Sequence, residues 1–199
     1  MPDHEPTFWL IAGPNGVGKT TYAFKHVKAL TGSINFVNMD EIARGLSPLD
    51  PSAVERDAAR LALSRARKMI ADQHTFAMET TMSRQTHRAL LKAASANGMK
   101  TSLMYFSVQS PDICRARVAR RVAEGGHDVP SDVIERRFGR SHANLPAYAA
   151  QCSLWRVYEA SAMTPCLALE GKAGALHFAD AHCLTHANEA VRQFRATFA

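Results

Sequence analysis

Residues 13–20 read Gly-Pro-Asn-Gly-Val-Gly-Lys-Thr, the complete Gly-x-x-x-x-Gly-Lys-Thr pattern of a phosphate-binding loop. The spelling follows from the chemistry of holding an anion with backbone. Gly13, Gly16 and Gly18 carry no Cβ, so the chain can curl closely around phosphate oxygens. The intervening Pro14, Asn15 and Val17 complete the cradle, whose N–H groups face the anion, and the helix beginning near Gly18 adds its positive end. Lys19 is expected on the β and γ phosphates, the Thr20 hydroxyl on Mg²⁺, and Thr21 on the α-phosphate. The context agrees. Thr7 to Ala12 (TFWLIA) is an apolar run of strand length. Thr20 to Leu30 is amphipathic, with Tyr22, Phe24, Val27 and Leu30 among its apolar positions.

Working outward, strand-like and helix-like segments alternate, which predicts an α/β fold: three layers, with a mostly parallel central sheet flanked by helices, as in nucleotide-binding phosphate-loop kinases. Strands are expected at Thr7–Ala12, Ile34–Asn38, Thr75–Met78 and Ser102–Val108. A helix is expected from about Pro51 to Asp72, marked by Asp50 before Pro51 and by a Ser52-x-x-Glu55 capping box. Further helices are expected over Ser83–Ala96 and from Ser110-Pro111 to about Glu124, where Gly125-Gly126 breaks the pattern. Pro130–Ser141 and Tyr148–Ala160 also read as helical. Cys166–Leu169 and Leu176–Phe178 read as a late strand or hairpin, and Cys183–Phe198 as a terminal amphipathic helix. No repeat or linker splits the 199 residues, so one domain over 1–199 is expected, with a lid and basic helices at about 110–142.

Composition narrows the function classes. Hydrophobic residues make up 46% and charged residues 21%, ordinary for a soluble globular chain. No apolar run reaches membrane-span length and MPDHEPT is not a signal peptide, so a cytoplasmic enzyme is expected. Cys114, Cys152, Cys166 and Cys183 lack metal-like spacing and read as reduced, mostly buried thiols. The net charge is +6, and basic residues concentrate in Arg115–Arg140, where aromatics are few. Base-stacking platforms need aromatics, so nucleic acid is disfavoured against ATP phosphates and anionic small substrates.

In a parallel sheet, ligands sit at the carboxyl ends of the strands. The residues past the second strand include Asn38 and Asp40, and those past the third are Glu79, Thr80 and Thr81. Asp40 is the candidate base for deprotonating an acceptor hydroxyl; the competing role is a helix cap. Glu79 is suited to an acceptor hydroxyl or, through water, to Mg²⁺. Thr80, Thr81, Ser83 and Arg84 can hold substrate, the alternative being a capped helix start. No Asp follows the apolar strand SLMYFSV, so the usual second carboxylate for Mg²⁺ is missing there. Arg117, Arg120 and Arg121 share one helical face. Beyond the glycine hinge lie Arg136, Arg137 and Arg140, and the whole is a candidate lid over ATP, with a solvated basic face as the alternative. The nine histidines form no metal pattern.

With these residues in place, the chain resembles the zeta toxin family of phosphate-loop kinases from about residue 7 to 160. The carrying segments are IAGPNGVGKTT, FVNMDEIARGLSP, FAMETTMS, the strand followed by SPDICRARVARRV, and GGHDVPSDVIERRF. The resemblance implies transfer of the ATP γ-phosphate to a hydroxyl, with the 3′-hydroxyl of UDP-N-acetylglucosamine as the family's acceptor. It implies Asp40 as base, Glu79 and Thr81 with nearby Arg84 as substrate contacts, and a phosphate clamp at Arg120 or Arg121. The family's second clamp falls near GGHDVP, where this chain has His127, leaving Arg136 or Arg137 as substitutes. The chain is shorter than the larger toxins. Many members are held inactive by a small helical antitoxin.

Overall fold

The computed structural model describes residues 5–172 and 174–198. A seven-stranded sheet has the order β2-β3-β1-β4-β5-β6-β7. Strands β1 (Thr7–Ala12), β2 (Phe36–Val37), β3 (Phe76–Thr80), β4 (Lys100–Ser107) and β5 (Leu154–Glu159) run parallel. The last two, β6 (Cys166–Lys172) and β7 (Ala175–Ala179), are added antiparallel.

Alternation along the strands splits the apolar residues between two faces, because successive side chains point opposite ways. Phe8, Leu10, Phe76, Met78, Leu103, Tyr105, Trp155 and Val157 belong to one core. That core is covered by α3 (Glu55–Ala71), α4 (Thr86–Ala96), α7 (Ala181–Thr185) and α8 (Glu189–Ala196). Ile11, Ala77, Met104 and Phe106 belong to the other, under α1 (Lys19–Thr31) and α5 (Pro111–Ala123). The three layers expected from the sequence are therefore present. Helix α6 (Ser131–Ala149) serves both cores: Ile134 and Phe138 pack in the second, Leu145, Tyr148 and Ala149 in the first. It passes the carboxyl end of β4, where the Ser107 hydroxyl meets His142 Nε2 at 2.8 Å.

Several expected elements differ. Ile34–Asn38 yields only the two-residue β2, because Asn38 leaves the strand to cap α2 (Met39–Leu46), its Oδ1 accepting from the Asp40 and Glu41 amides. The capping box is not formed: Asp50 caps a 3-10 turn, Pro51–Val54, by accepting from the Ala53 amide, and the Ser52 hydroxyl donates to Asp50. Strand β3 runs on through Thr80, so Glu79 lies within it.

The largest correction concerns residues 130–160. Helix α6 continues through Pro146, whose missing N–H and ring clash cost about 3 kcal/mol, because Tyr148 and Ala149 beyond it are buried. Leu154–Glu159 is then a strand, with Trp155, Val157 and Glu159 buried in period-two alternation. The Arg156 guanidinium pairs with Glu170 across the β5–β6 register at 2.6 Å. The terminal helix is two helices, α7 and α8, with Asp180 and Asn188 as separate caps. The β6–β7 hairpin is as expected. The cysteines are not all thiols: Cys166 and Cys183 are disulfide-bonded, tying the start of β6 to α7, while Cys114 and Cys152 are free and buried.

Candidate active site

The phosphate loop lies between β1 and α1, as its sequence requires. A Cβ on Gly13 would stand 2.2 Å from the Phe106 carbonyl oxygen, and one on Gly16 would stand 2.6 Å from that of Cys114. The loop therefore nests against β4 and α5 so closely that only backbone fits. Gly18 caps α1 in the left-handed region. Val17 is buried and Thr21 exposed.

Lys19 is buried, and its ammonium donates to the Pro14 carbonyl at 2.8 Å and lies 3.8 Å from Glu79. Glu79 is the centre of the polar cluster. Its carboxylate accepts from the Thr20 hydroxyl at 2.9 Å and from the Asn38 amide at 2.9 Å. Burial pushes the Lys19 ammonium below its ordinary pKa, against the pull of the Glu79 and Asp40 carboxylates. Burial pushes Glu79 up, opposed by Lys19 and by the Thr20 hydroxyl. The buried Lys19 ammonium under a backbone cradle suits an incoming polyanion, and the buried Glu79 carboxylate beside it suits a cation.

Asp40 sits exposed in the first turn of α2, near enough to act electrostatically on both Lys19 and Glu79. The cap of α2 is Asn38, so the alternative capping role for Asp40 is already filled. The loop after β3 is built from Thr81 to Gln85. The Thr80 hydroxyl accepts from the Met82 amide at 3.0 Å and meets His87 Nδ1 at 3.3 Å. Thr81 and Ser83 share a hydrogen bond at 3.0 Å, and Arg84 is exposed.

The arginines divide. Arg117 donates to the carbonyls of Ser161 at 2.8 Å and Val17 at 3.4 Å, joining the phosphate loop to the segment after β5. Arg137 donates to Asn15 Oδ1 at 3.2 Å. Arg121 donates to the His127 carbonyl at 2.7 Å, with its charge felt at Lys19. Arg120 is exposed and paired with Glu124 at 2.9 Å, and Arg136 is paired with Asp132 at 3.3 Å. After β4 come Val108 and Gln109, with no carboxylate, as read from the sequence. Among the described residues no group of three or more His, Cys, Asp or Glu forms a metal site, and no helix is long and apolar enough to cross a membrane.

Sequence reasoning missed His87, Asn144 and Tyr148. Asn144 donates to the Met82 carbonyl at 2.9 Å, and Tyr148 to the Arg84 carbonyl at 2.7 Å. Reading the helical period of Ile134, Phe138, Leu145 and Tyr148 through Pro146 would have placed both on one helix.

The family model described as an AAA domain matches residues 8–147. An uncharacterized protein of Haemophilus influenzae is 30% identical over 126 residues, 63% of this chain and 88% of its own. Among solved structures, the AvrRxo1-ORF1:AvrRxo1-ORF2 complex with sulphate ions matches with a TM-score of 0.69 at 16% identity, covering 92% of this chain and 63% of that one. The same pair solved with ATP matches with a TM-score of 0.69 at 15% identity, covering 99% and 64%. This chain thus spans less than two thirds of that neighbour. The PezAT chromosomal toxin-antitoxin system of Streptococcus pneumoniae matches with a TM-score of 0.68 at 12% identity, covering 99% and 87%. The resemblance to kinase toxins read from the motifs is thereby matched in fold.

Proposed function

The chain belongs to the AAA domain family, and from that footing we propose that it is an ATP-dependent kinase that phosphorylates a hydroxyl of a small acceptor. The observation that carries this reading is the placement of Glu79. Its carboxylate is bonded to the Thr20 hydroxyl, lies 3.8 Å from Lys19, and is flanked by the exposed carboxylate of Asp40. Asp40 acts electrostatically on Lys19, and the loop after β3 follows directly on Glu79, so both would border a γ-phosphate held by Lys19.

Asp40 takes the proton of the acceptor hydroxyl. The acceptor oxygen bonds to the γ-phosphorus as the bond to the β–γ bridging oxygen breaks, and ADP leaves. Lys19 and the loop amides stabilise the charge that builds on the phosphoryl oxygens. Thr80, Thr81 and Arg84 hold the acceptor, while Arg117, Arg121 and Arg137 line the nucleotide side. The hard oxygens of Thr20 and Glu79 fit Mg²⁺, and these two residues would hold it, the Thr20 hydroxyl as the expected ligand and the Glu79 carboxylate as the nearby negative charge. Mg²⁺ there would neutralise charge on the β and γ phosphates.

The finer reading is a nucleotide-sugar acceptor such as UDP-N-acetylglucosamine, and a toxin restrained by a small partner protein. Its support is the zeta-type order of motifs and a fold shared with proteins solved as the AvrRxo1-ORF1:AvrRxo1-ORF2 complex and as a toxin-antitoxin system. The test is incubation with γ-labelled ATP, Mg²⁺ and a panel of nucleotide sugars. A labelled sugar nucleotide is expected; label released only as free phosphate would sink the kinase reading. Expression in a bacterium separates the finer alternatives. Toxicity removed by Lys19→Ala supports a toxin, and a harmless wild type points to a metabolic kinase.

A further inference from the structure

Met82 has φ 54, a left-handed conformation that costs a bulky residue about 1–3 kcal/mol and persists only where its surroundings over-determine it. Here they do. The Met82 side chain is fully buried in the first core, its amide donates to the Thr80 hydroxyl, and its carbonyl accepts from Asn144. The Thr80 hydroxyl also shares a hydrogen bond with His87 Nδ1 at 3.3 Å. Two residues on, the Arg84 carbonyl accepts from the buried Tyr148 hydroxyl. The loop at the proposed acceptor site is thus held in a strained shape largely by side chains of α6.

The same helix also grips the nucleotide side. Arg137, Asn144 and Tyr148 are spaced i, i+7 and i+11, which an α-helix sets along one face over roughly 16 Å. The first donates to Asn15 of the phosphate loop; the other two donate to carbonyls of the Thr81–Gln85 loop. Since α6 packs in both cores, it is anchored on both faces of the sheet between these ends.

We propose that Asn144 and Tyr148 are positioning residues for the acceptor, fixing the loop after β3 in register with the phosphate loop through one face of α6. This rests on the kinase reading for its meaning, but its geometry is testable without phosphoryl transfer. Asn144→Asp removes the donors to Met82 at nearly constant volume, and Tyr148→Phe removes one hydroxyl. Each net hydrogen bond contributes about 1 kcal/mol, so local opening of the loop in the double variant should rise by tenfold or more.

Amide hydrogen exchange on the whole chain reads this directly. The expected result is about tenfold faster exchange confined to the amides of residues 82–85, with exchange in β1 and β4 and the affinity for ADP with Mg²⁺ within about twofold of wild type. With UDP-N-acetylglucosamine as probe acceptor, KM for the sugar nucleotide should rise about tenfold and KM for ATP stay within about twofold. Wild-type exchange in the loop of the double variant would overturn the proposal. So would a loss of ADP affinity, or a rise in both KM values together, since either marks general distortion. If wild type phosphorylates no sugar nucleotide, the acceptor assignment fails, and the exchange and ADP measurements still decide whether α6 sets the loop.

Discussion

The Glu79 carboxylate accepts the Thr20 hydroxyl at 2.9 Å, so the residue expected to ligate Mg²⁺ is already bonded to the carboxylate expected to reach it through water. The Thr20 oxygen keeps lone pairs for the ion while its proton stays on Glu79, so both residues can serve one Mg²⁺. Glu79→Gln retains an acceptor for Thr20 but removes the charge. The metal concentration giving half-maximal ADP affinity should then rise about tenfold, as expected for losing one charge-assisted interaction. ADP affinity without metal should change little. A calorimetric Mg²⁺ titration with ADP that is identical for variant and wild type would remove Glu79 from the metal's surroundings.

Asp40 makes a separate prediction because it is exposed while Asn38 does the capping of α2. Asp40→Asn should leave the free energy of unfolding within about 0.5 kcal/mol of wild type, as for a surface substitution away from structural contacts. Losing a positioned general base should slow transfer by roughly 10²-fold or more. Rate and stability measured together decide: an unaffected rate dismisses Asp40 as the base, and a large stability loss would mean it has a structural role.

The nucleotide half of this site was legible because its chemistry is local. Eight consecutive residues specify the phosphate loop, while Asn38 and Asp40 follow, and Glu79 lies near the end of, strands whose apolar runs are visible. The loop after β3, the proposed acceptor side, was less legible because distant contacts build it. Asn144 and Tyr148 act on carbonyls some sixty positions earlier, at Met82 and Arg84. Pro146 hid the continuity of α6, since burial of one helical face outweighed a local breaker. Strand β5 was misread because the alternation of Trp155, Val157 and Glu159 was overlooked. Its partners, β4 and β6, lie outside any local window.

His87 sets an acid limit on the fold. Burial pushes its imidazole down to about 4, against about 6.5 in an unfolded chain. For a base with a lowered folded pKa, the unfolded state binds more protons between those values. Stability is therefore fully present above pH 6.5 and is lost as pH falls towards 4, by about 3 kcal/mol over the window. His142, also buried and lowered, contributes with the same sign. His87→Gln should flatten the fall in urea midpoint between pH 6.5 and 4.5 without abolishing it. A variant with the wild-type pH slope would show that His87 is protonated in the folded protein.

Gly16 and Gly18 both have positive φ, 79 and 95, but their surroundings differ. A Cβ at Gly18 meets nothing within 4 Å, so Gly18→Ala should cost only the left-handed conformation, about 1–2 kcal/mol. At Gly16 the added atom stands 2.6 Å from the Cys114 carbonyl in α5, which is backbone and cannot swing aside. Gly16→Ala must therefore push α5 away from the loop, adding about 1–3 kcal/mol of overpacking. It should also weaken ADP binding, because Arg117, which bridges to the Val17 carbonyl, is carried on that helix. Urea midpoints of the two variants without ligand are the measurement. Equal losses would mean that the phosphate loop and α5 are not in the close contact on which the nucleotide side of the site depends.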